Sequence, residues 1–451
     1  MKYKTFLNWA MVASVFMDDF IILRYQIPFD FYVYYLVFIL NIQYFFKSKT
    51  KEGLLPKWFS VSILILIFNT LIICTIDNTF ALGVLKQVFG VLFTSIAYYT
   101  FIANNNFEIK RIFRMYIHLA FFVAAEGLLE EILNLSGIHI NEKMRLTTSG
   151  FYRIFGIMGE PYFLAVALLP AMFFVFYKTV IFERVNSKIN NYLLLSFIAT
   201  CFIFTFSSAG ILGIGGVFVF YLINKKYLSF KSWKIILLPI FILLFGVLFN
   251  NVQKEWKEFN IKFTQTISAF SNNSTKKEDI EMLNTSSFAL YSNFIIAKAS
   301  FNEYPITGTG LGTHESNYKK YFSKYFDKDF VIRYGVFNTA DANSLFVRLM
   351  SETGIIGLGM FFTFLFKNAL VRRGYDDPEL RDYTLINQGI FIWFLVRLIR
   401  TGNYFGNGFF LFFFLYYFSK KIVEKKKLEK KYKSRAYIVD VVLPKSPSKV
   451  G

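Results

Sequence analysis

The chain has 451 residues, of which 55% are hydrophobic, 20% aromatic and only 18% charged, and its mean hydropathy is +0.43. That composition excludes an ordinary soluble protein of this length and points to a polytopic membrane protein. The formal net charge of +20 does not argue for nucleic acid, because many of the basic residues lie in short connections between apolar runs, where positive charge sets orientation in a bilayer.

A hydrocarbon core about 30 Å thick takes about 20 apolar residues per helix. On that ruler the sequence predicts an all-α fold with about twelve membrane-spanning helices. They fall near residues 6–24, 28–46, 59–76, 80–102, 112–134, 161–182, 191–207, 208–223, 235–250, 354–371, 383–400 and 404–420. The first run has the basic and apolar parts of a signal peptide but no clear small-x-small cleavage site, and it is read as a helix. Cys74 and Cys201 each lie inside an apolar run and read as small buried hydrophobes.

The basic connections 47–57, 104–111, 182–188, 224–234 and 372–381 all fall on one side under this count, as does the tail from Lys420. That side is cytoplasmic, so both termini are predicted inside. One transmembrane domain is expected over 1–420, with a basic cytoplasmic tail over 421–451. The opposite face has short turns and two long loops, 135–160 and 251–350. Connections of the second size are functional or disordered. Within it, 271–287 reads as polar and mobile, whereas 288–301 has the apolar spacing of a helix on or near the membrane.

Ionisable residues inside spans are costly and face protein interior or water. Here they are Asp18, Asp19, Arg24, Lys86, Glu126, Glu130, Glu131, Arg397 and Arg400, all in the outward half of their helices under this orientation. A coupled transporter would need such groups near the midplane; this pattern describes a polar cavity open to the outside. Arg397 and Arg400 share a helix face, and arginine's planar fork suits phosphate oxygens. Either a phosphate or pyrophosphate lies between them, or Glu126, Glu130 and Glu131 neutralise them.

The stretch "FYRIFGIMGEP" (151–161) ends the shorter outer loop. Arg153 stands at the water side, Gly156 and Gly159 allow a tight backbone path, and Pro161 starts a helix at its first position. Glu160 is either a cap for that helix or a catalytic group. Of the three histidines, His118 reads as a packed span residue, and His139 and His314 lie on outer loops; His314, beside Glu315 and a glycine turn, is the candidate base.

At these residues the sequence resembles the O-antigen polymerase and ligase superfamily of bacterial surface-polysaccharide assembly. Arg153, Gly156, Glu160 and Pro161 are similar to its first loop motif. The stretch "TFSSAGILGIGG" (205–216) resembles its Thr-x-Ser-Arg-Gly segment, with Ala209 where arginine is usual. "YPITGTGLG" (304–312), with Gly308, Gly310 and Gly312, resembles the glycine turn of its long loop. "DANSLFVRLMSETGIIGLGMFF" (341–362) resembles the stretch that ends that loop. Arg145 followed by ten residues and Gly156 is similar to an arginine–glycine pattern of polymerases. Two departures matter: Ala342 stands before Asn343 where ligases carry histidine, and an arginine is missing from 284–293, leaving Lys298, Arg333 or Arg348 to serve.

The resemblance implies a fold similar to GT-C-type glycosyltransferases and a Wzy-type polymerase in the bacterial cytoplasmic membrane. Such an enzyme moves a growing glycan from a polyprenyl-pyrophosphate carrier onto the next lipid-linked repeat, for O-antigen, capsule or exopolysaccharide. A ligase of the same superfamily and a flippase-type transporter remain the alternatives. Catalytic roles would fall to Arg153, Glu160, Asp341 and His314. Pyrophosphate would be held by Arg145, Arg397, Arg400, Arg348 and Arg333. No cofactor, metal or nucleic acid is expected; the expected partners are the lipid-linked oligosaccharide, membrane lipids, and a chain-length regulator and flippase of the same pathway.

Overall fold

The computed structural model describes residues 2–17, 21–23, 31–48, 53–77, 82–138, 151–182, 189–227, 261, 264–271, 283–326, 338–406 and 408–442. Arg145, Arg333, His139, Asp18, Asp19, Arg24 and the expected span 235–250 lie outside them. The helices are α1 (Lys2–Ala13), α2 (Val33–Lys47), α3 (Lys57–Ile76), α4 (Leu82–Asn104), α5 (Ile109–Leu135), α6 (Pro161–Phe176), α7 (Ile189–Phe204) and α8 (Ser208–Asn224). They continue with α9 (Thr285–Glu303), α10 (His314–Tyr325), α11 (Leu345–Lys367), α12 (Arg381–Ile399) and α13 (Phe409–Val442).

Among the described residues, five helices are long and apolar enough to cross a membrane: α3, α4, α5, α6 with its π-helical extension to Phe182, and α11. The described residues are thus all-helical apart from one short ribbon, as suits a polytopic membrane protein. That ribbon corrects the first expected span: α1 stops at Ala13, a 3₁₀ turn follows, and Ile21–Leu23 pairs antiparallel with Phe31–Tyr32. At 1.5 Å per residue a 12-residue helix is about 18 Å long, short of a full crossing.

The centre of the bundle is α12, which packs against α6, α8, α11 and α13. Surrounded by protein, it carries polar groups that must find partners within the bundle. Gln388 and Asn224 exchange amide hydrogen bonds of 3.0 Å, and Asn387 accepts from Leu370 N–H and donates to the carbonyls of Asn368 and Tyr416. Around them lies an aromatic core, with Phe364 and Phe413 stacked at 3.9 Å and Trp393 fully buried. Cys74 and Cys201 are both buried.

The segment between α8 and α11 has a small core of its own, in which Phe288 and Tyr291 of α9 meet Tyr318 and Phe322 of α10. The expected span from residue 354 instead belongs to a helix that begins at Leu345 and is interrupted at Gly354 (φ 57°, ψ −154°). The basic tail continues α13 as helix to Val442, and Lys426 and Lys430 pair with Glu379 and Asp377.

Candidate functional site

The loop after α5 is held by three carboxylates close together on that helix. Glu131 Oε1 accepts from Tyr152 N–H at 2.8 Å, Glu130 Oε2 from Gly156 N–H at 3.1 Å, and Glu126 Oε2 from Ile157 N–H at 3.3 Å. The acids therefore hold main-chain amides of the loop. Gly156 is obligatory there: its φ is +49°, and a Cβ would stand 2.4 Å from Glu126 Oε2.

Held this way, the loop aims Arg153 at the break between α7 and α8. Its Nε and Nη2 donate to the carbonyls of Thr205 (3.4 Å) and Phe206 (3.2 Å), so two of the sequence motifs meet directly. Glu160 occupies the N-cap position of α6 in extended backbone, with Pro161 following. Its side chain makes no capping hydrogen bond and is exposed. Arg400 ends α12, donates to Ser286 Oγ at 3.0 Å at the start of α9, and lies within electrostatic reach of Tyr162 in the first turn of α6. The start of α6 thus has one arginine eight residues before Pro161 in the preceding loop and another beside Tyr162.

A second polar centre lies where the long loop rejoins the bundle. Arg348 is buried; its Nε donates to Glu352 Oε1 (3.1 Å), its Nη1 to Gly402 O (3.1 Å), and its guanidinium lies 4.3 Å from the Tyr404 ring. Asp341 accepts from Asn343 N–H (3.0 Å) and Gly402 N–H (3.3 Å). Withdrawal from water pushes its carboxyl upward, opposed by those amides and by the charges of Arg348 and Arg397. Arg397 is fully buried, donates to Asn403 O at 2.5 Å and lies over Trp393. The pair that shares a helix face by spacing therefore diverges: Arg397 turns inward to the 402–404 loop, while Arg400 reaches α9.

The glycine turn docks on the break in α11 through main chain. Thr309 N–H donates to Ser351 O, Gly310 N–H to Glu352 O, and Ile355 and Ile356 N–H to the carbonyls of Pro305 and Ile306. At Gly308 a Cβ would lie 2.3 Å from Thr353 N, and at Gly354 one would lie 2.6 Å from Gly308 N. Asn69 and Thr70 of α3 also bond this turn, at Thr307 O and Leu311 N–H. Gly312 (φ +82°) abuts Gly83 O.

His314 is fully buried. Its backbone N–H donates to Glu352 Oε1 at 3.3 Å and its Nε2 lies 2.9 Å from Asn293 Oδ1. Burial, helped by the nearby Arg348 charge, pulls its pKa down to about 3, so the ring is neutral at any working pH. Among the described residues no trio of His, Cys, Asp or Glu is placed to hold a metal ion. Sequence reasoning named neither Glu352, which serves Arg348 and His314 at once, nor Gly402 and Asn403; the Arg348–Glu352 spacing of four was the available signal.

Residues 193–362 match a family model described as O-antigen ligase; no curated protein matches the chain. The matched segment runs from α7 through the glycine turn and the break into the membrane half of α11. Members of this family are glycosyltransferase-like enzymes that act on lipid-linked oligosaccharides in bacterial membranes. The chain carries, at residues 193–362, the domain of the O-antigen polymerase and ligase superfamily.

Proposed function

We propose that the chain is a polysaccharide polymerase of this superfamily. It transfers the growing glycan from a polyprenyl-pyrophosphate carrier onto the next lipid-linked repeat, at the outer face of the cytoplasmic membrane. The acceptor hydroxyl oxygen forms the new bond to the anomeric carbon, the carbon–oxygen bond to pyrophosphate breaks, and polyprenyl pyrophosphate leaves with the electron pair. No nucleotide sugar enters the reaction.

The observation that supports this reading is made up of three groups on the segments around the α6 start: Arg153 in the loop before it, Arg400 within electrostatic reach of Tyr162 in its first turn, and at its N-cap an exposed Glu160 whose side chain makes no capping bond. Negative charge grows on the leaving pyrophosphate, and fixed guanidinium groups stabilise it. The acceptor hydroxyl must lose a proton, and Glu160 is the carboxylate whose side chain is not engaged in capping. Asp341 and His314 are weaker choices for that task, since the first holds two backbone amides and the second is a buried neutral ring. Arg348 and Arg397 hold the long loop in place, with Arg145 and Arg333 as further cations for the carrier. Ala342, buried before Asn343, favours a polymerase over a ligase, which has histidine there.

On this reading about twelve spans form a GT-C-like arrangement, in one transmembrane domain over 1–420 with a cytoplasmic tail over 421–451. Both termini lie inside, and a flippase and a chain-length regulator act before and beside it. The test is a gel of surface glycan from a deletion strain complemented with wild type or Arg153→Ala. A single repeat with the deletion and the variant, against a ladder with wild type, is expected. A normal ladder in the deletion strain overturns the polymerase; full-length glycan retained on its carrier identifies a ligase, and lipid-linked repeat accumulating in the inner leaflet identifies a flippase.

A further inference from the structure

We propose that the cleft between the outer end of α3 and the first turns of α10 is a saccharide subsite that holds one sugar ring of a lipid-linked repeat. It is lined by Asp77, Tyr304, Thr309, Thr313, Asn317 and Lys320 and encloses ≈ 190 Å³. That is below the range of about 300–1,000 Å³ that suits drug-sized ligands, so it takes one ring and leaves the rest of the glycan in solvent. The inference rests on the polymerase reading and adds a place for the sugar to that reading's places for charge.

The lining is rich in oxygen and already oriented by the protein. Tyr304 O–H donates to Asp77 Oδ1 at 2.6 Å, and this bond pushes the phenol up to about 12, which keeps it a donor. Asp77 Oδ2 accepts no hydrogen bond among the described residues and is left as an acceptor. Asn317 Nδ2 donates to Thr309 Oγ1 at 2.7 Å, and Thr309 in turn meets Thr313 Oγ1 at 2.7 Å. The Asn317 carbonyl oxygen accepts no hydrogen bond among the described residues, so it too faces the ligand as an acceptor. Lys320 bonds both oxygens of Glu303 at 3.1 Å, and its remaining N–H donates.

Two acceptors and an ammonium donor, all pre-set, match the hydroxyls and ring oxygen of a sugar. A phosphate is disfavoured, because Asp77 lies in the wall and the one lysine already carries a carboxylate. The floor is rigid because Thr309 and Gly310 are tied by main chain to Ser351 and Glu352. The cleft therefore shares a wall with the Arg348 centre, so a sugar held here is fixed relative to the break in α11.

The test uses the full-length protein in lipid nanodiscs and, as probe, the repeat oligosaccharide released from its own polyprenyl carrier by mild acid, titrated calorimetrically. Wild type should bind it, Asp77→Asn should weaken binding about ten- to a hundredfold through loss of a charged acceptor, and Lys320→Ala should weaken it measurably. Lys320 has a mostly exposed side chain, so that variant remains informative if Asp77→Asn does not fold. No binding to wild type, or equal affinity in both variants, overturns the subsite whatever the glycan ladder shows. A normal ladder in the deletion strain overturns the polymerase reading and leaves an oligosaccharide-affinity result standing on its own.

Discussion

Replacing Glu352 by glutamine removes a charge and almost no volume from the pair it makes with Arg348. The two side chains are 0% and 1% exposed and 3.1 Å apart. Removing one partner of such a buried pair costs about 3–5 kcal/mol, mainly because the other charge stays buried. Glutamine still accepts from Arg348 Nε and from His314 N–H, so Glu352→Gln should lose only about 2–3 kcal/mol. Arg348→Met also breaks the bond to Gly402 O and leaves the carboxylate stranded; it should lose the full about 3–5 kcal/mol. The double variant Arg348→Met/Glu352→Leu replaces both charges with packed apolar groups and should recover to within about 1–2 kcal/mol of wild type. Unfolding in mixed micelles, followed by tryptophan fluorescence and compared across the four proteins, gives the cycle. A Glu352→Gln protein as stable as wild type, or a double variant at the sum of the singles, would refute the assignment of this pair as the internal tie of the long loop before α11.

Gly156→Ala places a side chain at φ +49° and 2.4 Å from the Glu126 carboxylate, and should cost at least about 1–3 kcal/mol. Gly137→Ala, also at positive φ but with nothing within 4 Å, is the control, and equal thermal losses in the two would mean that the Glu126 contact adds no cost. Glu160→Gln should lower the rate of polymer formation in membranes about 10²- to 10⁴-fold with no change in protein level, since the side chain makes no capping bond; an unchanged rate excludes it as the base. His314 binds its proton at about 3 when folded and near 6.5 when unfolded, so the unfolded chain takes up more protons between those values. Stability from this group is complete above pH 6.5 and is lost as pH falls toward 3, and His314→Asn should flatten that part of the profile measured by unfolding.

Much of the helical plan was legible, because an apolar run of about 20 residues is the length that a bilayer crossing demands and is too greasy to be left in water. α3 and α4 and the joint after α7 fall within a few residues of the expected places. The early end of α1 was not legible, since Val15 and Phe16 continue an apolar run that the backbone leaves as a helix of another kind. The break at Gly354 was hidden for a similar reason: "TGIIGLG" reads as membrane helix, and only the docked glycine turn supplies the partners for the freed backbone groups. At the site, Arg397 and Arg400 could be named from their cost in a membrane, and Arg153 and Arg348 from the stretches that resemble family motifs. Their partners could not, because Thr205, Ser286 and Gly402 are distant in sequence and act mostly through carbonyls, which every residue has. Glu126, Glu130 and Glu131 suit counter-ions for arginine by charge alone, whereas in the fold three loop amides claim them.

The union of Gly308 and Gly354 is made wholly of peptide groups and the space left by two missing methyls. Neither position can gain a side chain while its partner stays put, so variation at the two should be correlated in descendants of this chain. Salt and acidity have no grip on a fastening of that sort. The side chains around it are correspondingly at liberty to change as the sugars they greet change, while the frame that presents them keeps its shape.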